Sequence, residues 1–174
     1  MKAILTTIFV IALFSISSAQ ISVNLGGIGA LPMGDFSNLS SLGIGVGVNA
    51  DYSLLVVTAT ASSGFLYFMG KNNNGYSATI IPILAGAKYN VIPNVYVVAQ
   101  TGLNIISQTI KFPELRLGGG QYSFQKRKVT GSKSKFGFAF GAGVGLGSLD
   151  LNVKYMIYDS DFNSLNAGVS FKLY

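Results

Sequence analysis

The chain has no cysteine and no histidine. Their absence excludes zinc sites of the usual ligands, thiol chemistry and nucleophilic triads built on an imidazole. It also excludes disulfides, so an exported chain of this composition must be stabilised in some other way. Charge is scarce as well. Charged residues make up 10% of the 174 residues, where a soluble domain usually carries roughly 25%. After Ala19 no run reaches the roughly 18 unbroken apolar residues of a membrane helix. Mean hydropathy is nevertheless +0.49, and glycine is abundant at 22 residues. A soluble protein this apolar would be hard to keep from aggregating, whereas a barrel with its apolar face toward lipid has no such difficulty.

Met1–Ala19 reads as a secretory signal peptide. Lys2 supplies the positive start, Ala3–Ile16 an apolar core, and Ser17-Ser18-Ala19 a small-residue cleavage site. The mature protein is expected to begin at Gln20, so the chain divides into 1–19, signal peptide, and 20–174, one domain.

What the chain does have is alternation. In Lys135–Leu146 one face is Phe136, Phe138, Phe140, Ala142, Val144 and Leu146, and the other is Lys135, Gly137, Ala139, Gly141, Gly143 and Gly145. In Leu149–Tyr158 the apolar set Leu149, Leu151, Val153, Tyr155 and Ile157 opposes Asp150, Asn152, Lys154, Met156 and Tyr158. Side chains of a strand point to opposite faces with period two, so each run is a strand with one apolar face. Roughly ten residues is what a tilted strand needs to cross a bilayer, against about 5–6 in ordinary strands.

The same pattern gives six further strands: Ile21–Ala30, Leu42–Tyr52, Leu54–Phe68, Tyr76–Tyr89, Val95–Ile106 and Leu165–Tyr174. Tyr76–Tyr89 is apolar on both faces and contains Pro82, which cannot donate to a ladder; Gly86 and Lys88 indicate its inner side. The connections alternate in length. Those near Asp51–Leu54, Asn90–Asn94 and Gly147–Ser148 are tight, whereas Leu31–Ser41, Met69–Gly75, Ser107–Ser134 and Asp159–Asn163 read as longer loops. The fold class expected is all-β: an eight-stranded antiparallel up-and-down transmembrane β-barrel with short periplasmic turns, longer extracellular loops and both termini periplasmic. Aromatic girdles are expected from Tyr52, Tyr89, Tyr96 and Tyr174 at one boundary and from Phe65, Tyr67, Tyr76, Phe136, Phe138 and Tyr158 at the other.

Three segments resemble the small eight-stranded outer-membrane barrel proteins, the OmpA- and OmpX-like barrel domains. They are the opening hairpin, Leu25–Ser37 with Leu42–Gly47; Ile81–Tyr89, similar to a central strand of that family; and Ala167–Tyr174, similar to its closing strand. The resemblance implies the outer membrane of a Gram-negative cell, a closing strand read by the barrel-assembly machinery, and no added peptidoglycan-binding domain. One departure is visible: Leu173 is in phase with the outer apolar set, and the terminal aromatic Tyr174 lies one residue beyond.

Chemistry is sparse. Asp35 reads as a turn residue. Asp159 and Asp161 flank Ser160, but Ca²⁺ needs about 6–8 oxygen ligands, so they read as solvated loop residues. No enzyme, cofactor or metal site is expected. Inward polar residues form one constellation: Asp51, Lys88, Gln100, Asn104, Asp150, Asn152, Lys154 and Lys172, with Asn166. It reads as an internal network, because the interior of an eight-stranded barrel is just wide enough for side chains to fill. The alternative is a narrow polar path for ions or small solutes, with inward glycines such as Gly43 and Gly143 leaving room for water. A second constellation is basic: Lys111, Arg116, Lys126, Arg127, Lys128, Lys133 and Lys135 lie in or beside the longest loop, against Glu114 alone. Lysine and arginine bind phosphate well, which suggests lipopolysaccharide or other polyanions rather than nucleic acid, which an exported barrel does not meet.

The expected protein is thus a monomeric barrel in the lipid bilayer with a structural or adhesive surface role. A narrow porin-like channel or small-solute carrier comes second. A soluble lipocalin-like barrel, apolar inside and polar outside, is a third class.

Overall fold

Alternation of this kind satisfies every backbone group only if the sheet closes on itself, and it does. The structure, a computed structural model, describes residues 21–54, 56–71, 75–118 and 121–173, and for 112–118 and 121–128 the backbone alone. The expected signal peptide and Gln20 lie outside the described residues, as do Leu55 and Tyr174. Eight strands run β1 (Ile21–Met33), β2 (Ser40–Ser53), β3 (Val57–Gly70), β4 (Tyr76–Ile92), β5 (Val95–Gly118), β6 (Gln121–Leu146), β7 (Leu149–Asp159) and β8 (Phe162–Lys172). Each pairs antiparallel with its neighbours in sequence, and β1 closes on β8 from Asn24↔Lys172 to Met33↔Asn163. The ladder between β3 and β4 is interrupted opposite Pro82, between Ser63↔Ile83 and Leu66↔Ile80, as a residue without an N–H requires.

The apolar faces point outward. Leu25, Ile44, Val46, Phe65, Ile83, Leu103, Phe136, Phe138, Phe140, Val153 and Phe171 are all exposed on the wall. That is the lipid-facing arrangement, and it is the reverse of a lipocalin.

Three expected loops are shorter than the sequence suggested. Leu31–Ser41 reduces to a turn at Gly34-Asp35, with Gly34 at φ +58°, and one helical turn, α1 (Phe36–Leu39), between the extended β1 and β2. Asp159–Asn163 reduces to a turn at Ser160-Asp161, and β3 runs on through Gly70. Ser107–Ser134 is not a loop: β5 and β6 stay in register out to Gly118↔Gln121. Hydroxyl pairs link them, Ser107 Oγ to Ser132 Oγ at 3.0 Å and Thr109 Oγ1 to Thr130 Oγ1 at 3.1 Å. Cross-strand pairs of this kind stabilise a ladder without needing an apolar face. Polarity there marks departure from the closed wall rather than loss of strand structure.

The interior divides into two halves. Toward the end where this hairpin projects, the lumen is filled by an apolar plug: Phe36, Leu66, Phe68, Ala78, Ile80, Ile106, Met156, Tyr158 and Phe162 are buried. Phe36 on α1 stoppers the mouth, its ring 4.8 Å from Phe68 and 4.7 Å from Phe162. Toward the end that carries the termini the lumen is polar. Three expected girdle aromatics are corrected by this division. Tyr76, Tyr96 and Tyr158 are buried in the lumen, because each is in phase with inward neighbours: Ala78, Gln100 and Met156 respectively. Phe65, Tyr67, Phe136, Phe138 and Tyr89 do lie exposed on the wall.

Gly43 and Gly143 do not leave the expected open space, although Gly145 does and Gly47 borders a small lumen cavity. A Cβ at Gly43 would collide with the Phe68 ring, and one at Gly143 with the Tyr96 ring. Small residues sit there so that large ones from neighbouring strands can fill the lumen, which is how narrow barrels pack.

Candidate functional site: a closed lumen and a basic hairpin

The polar half of the lumen brings together most of the inward set. Lys88 Nζ lies 2.7 Å from Asp51 Oδ2, both side chains about nine-tenths buried. Asn24 Nδ2 donates to the same oxygen at 3.2 Å. Across the lumen the Tyr96 hydroxyl donates to Asp150 at 2.8 Å, and Asn152 Nδ2 donates to Asp150 Oδ1 at 2.9 Å. Lys88 also sits over the Tyr96 ring, 4.8 Å from its centroid, which joins the two groups. Lys154 Nζ donates to Gln100 Oε1 at 3.2 Å. Asn104 is buried deeper, its amide toward the Tyr158 carbonyl at 3.5 Å. Asn166 Nδ2 donates to the Tyr158 hydroxyl at 3.0 Å. Lys172 lies apart, exposed at the terminal mouth and opposite Asn24 in register.

Charges removed from water need partners at close range; Asp51 and Lys88 have each other, Asp150 has Tyr96 and Asn152, and Lys154 meets the neutral Gln100 carboxamide. Asn24 and Tyr96 join this network although the inward polar set of the sequence does not include them. Tyr96 was legible from its phase, since it alternates with Val98 and Gln100 on the inner face. Its preference for membrane boundaries suggested the wrong side.

Between plug and network lies a cavity of about 60 Å³ bordered by Asn49, Ser62, Leu66, Gln100, Asn152 and Lys154. A water needs roughly 10–15 Å³ of such space, so it has room for a few waters and none for a sugar or an amino acid. Among the described residues no three acidic side chains gather as a metal site.

The basic constellation splits. β4 pairs with β5 out to Tyr76↔Ile110, and β7 pairs with β6 out to Phe138↔Ile157. Beyond those pairs the hairpin is a two-stranded ribbon, which on the β5 side runs about 27 Å further at the usual strand rise. Lys111, Arg116, Lys126, Arg127 and Lys128 all fall on it, with Lys111 opposite Lys128, Pro113 opposite Lys126 and Arg116 opposite Ser123 in register. Lys111 is exposed; the side chains of Arg116, Lys126, Arg127 and Lys128 lie outside the described residues.

Lys133 and Lys135 belong instead to the base of the hairpin, and both meet Asp159. Lys133 Nζ donates to Asp159 Oδ2, and Lys135 Nζ stands 3.7 Å from Oδ1. The Ser160 backbone N–H caps Oδ1 at 2.9 Å. The Lys133 hydrogen bond holds the Asp159 carboxyl below its usual range. Asp159 is therefore part of a charge cluster, where the sequence suggested a solvated loop residue. Its partners are 24–26 residues away, beyond any local pattern.

With this geometry in hand the fold can be compared with others. No protein-family model matches the sequence, and no curated protein matches it. Among solved structures the chain is similar to Ail, the attachment invasion locus protein of Yersinia pestis. The identity is 11% over 88% of this chain and 98% of that one, with a TM-score of 0.63. It is equally similar to Ail in complex with the heparin analogue sucrose octasulfate, at 12% identity, the same coverage and a TM-score of 0.62. Neisserial surface protein A follows at 13% identity, 87% and 95% coverage and a TM-score of 0.50. The chain has the fold of the small eight-stranded outer-membrane barrels.

Proposed function

We propose that this chain is an integral outer-membrane barrel with a structural or adhesive surface role, whose projecting hairpin contacts anionic glycans or lipopolysaccharide. The termini then face the periplasm, and the hairpin end faces outward. One observation carries the reading: Lys111, Arg116, Lys126, Arg127 and Lys128 are gathered on the two-stranded ribbon. Like charges opposite one another weaken a ladder, and the Lys111↔Lys128 register is an arrangement that a bound anion would offset. The complex of Ail with a heparin analogue supports the ligand class, since Ail has the same fold. No enzymatic activity, cofactor or metal enters this reading.

The test is retention of the folded barrel on immobilised heparin and on lipopolysaccharide. Replacing Lys126, Arg127 and Lys128 with Gln should lower the eluting salt concentration on at least one of them. Unchanged, salt-insensitive retention on both would count against the proposal. A narrow-channel role is the weaker reading, because the Phe36–Phe68–Phe162 stopper and the plug beneath it interrupt any polar path. Planar-bilayer recordings should show no conductance steps.

A further inference from the structure

Asp159 stands where the hairpin leaves the barrel. Past the Phe138↔Ile157 pair, β6 has no backbone partner on its β7 side among the described residues, and there Lys133 and Lys135 reach Asp159 at the end of β7. Two ammonium groups share one carboxylate, so the cluster keeps a surplus positive charge. The lysines remain accessible, with side chains 36% and 48% exposed, whereas the Asp159 side chain is 11% exposed. Lys133 also lies over the Phe162 ring, 4.9 Å from its centroid, which holds the ammonium at the rim of the mouth.

We propose that Lys133 and Lys135 form an anion subsite that Asp159 fills in the free protein, so that a sulfate or phosphate ester of a bound glycan displaces the carboxylate and unfastens the hairpin from the last turn. The inference rests on the polyanion reading above and adds a subsite with a built-in competitor. Carboxylate, sulfate and phosphate oxygens all accept charge-assisted hydrogen bonds from ammonium groups, so they compete for the same donors. A polymer already held on the ribbon brings further esters within reach. Arg127 and Lys133 are six residues apart along β6, about 20 Å at the usual strand rise, and tethering raises the local ester concentration at the second position.

The experiment measures binding of a heparin oligosaccharide to the full barrel folded into phospholipid nanodiscs, across a salt series. Asp159→Asn should tighten binding on the order of three- to tenfold, the scale of two partly exposed ion pairs released for use, and should steepen the salt dependence. Asp159→Glu, which keeps the competing carboxylate, should bind as the unmodified chain does. Adding Lys133→Gln and Lys135→Gln to Asp159→Asn should abolish the gain. Hydrogen exchange should show the amides of Val129–Lys135 less protected when the oligosaccharide is bound.

Unchanged or weaker binding by an Asp159→Asn barrel that still shows heat-modifiable gel mobility would overturn the inference. If neutralising Lys126, Arg127 and Lys128 nonetheless weakens binding, the proposed function stands without it. Tight binding by Asp159→Asn that ignores those three residues would uphold the subsite and reject the ribbon. Binding by neither the unmodified chain nor Asp159→Asn would reject both.

Discussion

The barrel and the hairpin that rises from it treat charge in opposite ways. Inside the barrel Asp51 is matched by Lys88 and Asn24, and Asp150 by Tyr96 and Asn152. On the hairpin, five basic residues stand along the ribbon with Glu114 as the single acidic residue between Lys111 and Lys128. Burial explains the first pattern, because a charge taken from water without a partner is costly. Nothing in folding requires the second. Charge placed to hold a lumen together and charge left in surplus on a projecting ribbon are different signals, and the proposed function rests on the surplus.

Changes in the barrel should cost stability and leave polyanion retention alone; changes to the basic residues of the ribbon should do the reverse. The largest effect is expected from Phe68→Ala, which removes a fully buried ring from the plug. A loss of about 3–5 kcal/mol should appear in urea unfolding from lipid vesicles. Lys88→Met follows, leaving Asp51 buried without its counter-ion, at about 3 kcal/mol. Adding Asp51→Leu should recover much of that loss, since replacing both members of a buried pair by apolar groups is often neutral. Removing the Ser107–Ser132 and Thr109–Thr130 hydroxyl pairs by Ala and Val substitution should cost less, under about 1 kcal/mol for each pair.

The smallest effect is one of pH. Asp159 has a lowered pKa in the folded chain, so its contribution is fully present above its unfolded value and disappears as pH falls through the lower folded one. Hydrogen exchange at the hairpin base, extrapolated for intrinsic rate, should therefore be constant from neutrality down to the ordinary carboxylate value of 3.8 and lose protection only below it. Loosening already at pH 6 would show that Asp159 is not the fastening group.

These regions also differ in how far they could be read from residues alone. The wall was legible, because from Phe136 to Leu146 one face is apolar and the other is small or polar, and period two separates them. The plug was not. On β4 Ile80 and Leu84 face inward while Ile83 faces lipid, so apolar residues on both faces erase the contrast on which the reading depends. Gly43 and Gly143 looked like open space because the rings that occupy it come from other strands. The hairpin reads as a loop because a ribbon beyond the barrel wall has no apolar face to keep. Asp159 does not read as a partner of Lys133 and Lys135 because the register of the β6–β7 hairpin, not any spacing within one strand, sets them beside it.

The division between a self-contained barrel and an outward-directed hairpin is tested most directly by shortening the hairpin. Residues 112–127 would be replaced by a tight turn, and elution from immobilised heparin and urea unfolding measured on the same folded preparation. Elution at low salt with unfolding unchanged to within about 1 kcal/mol, the scale of surface changes, is the predicted result. Retention equal to that of the full-length chain would place the ligand contact elsewhere and contradict it.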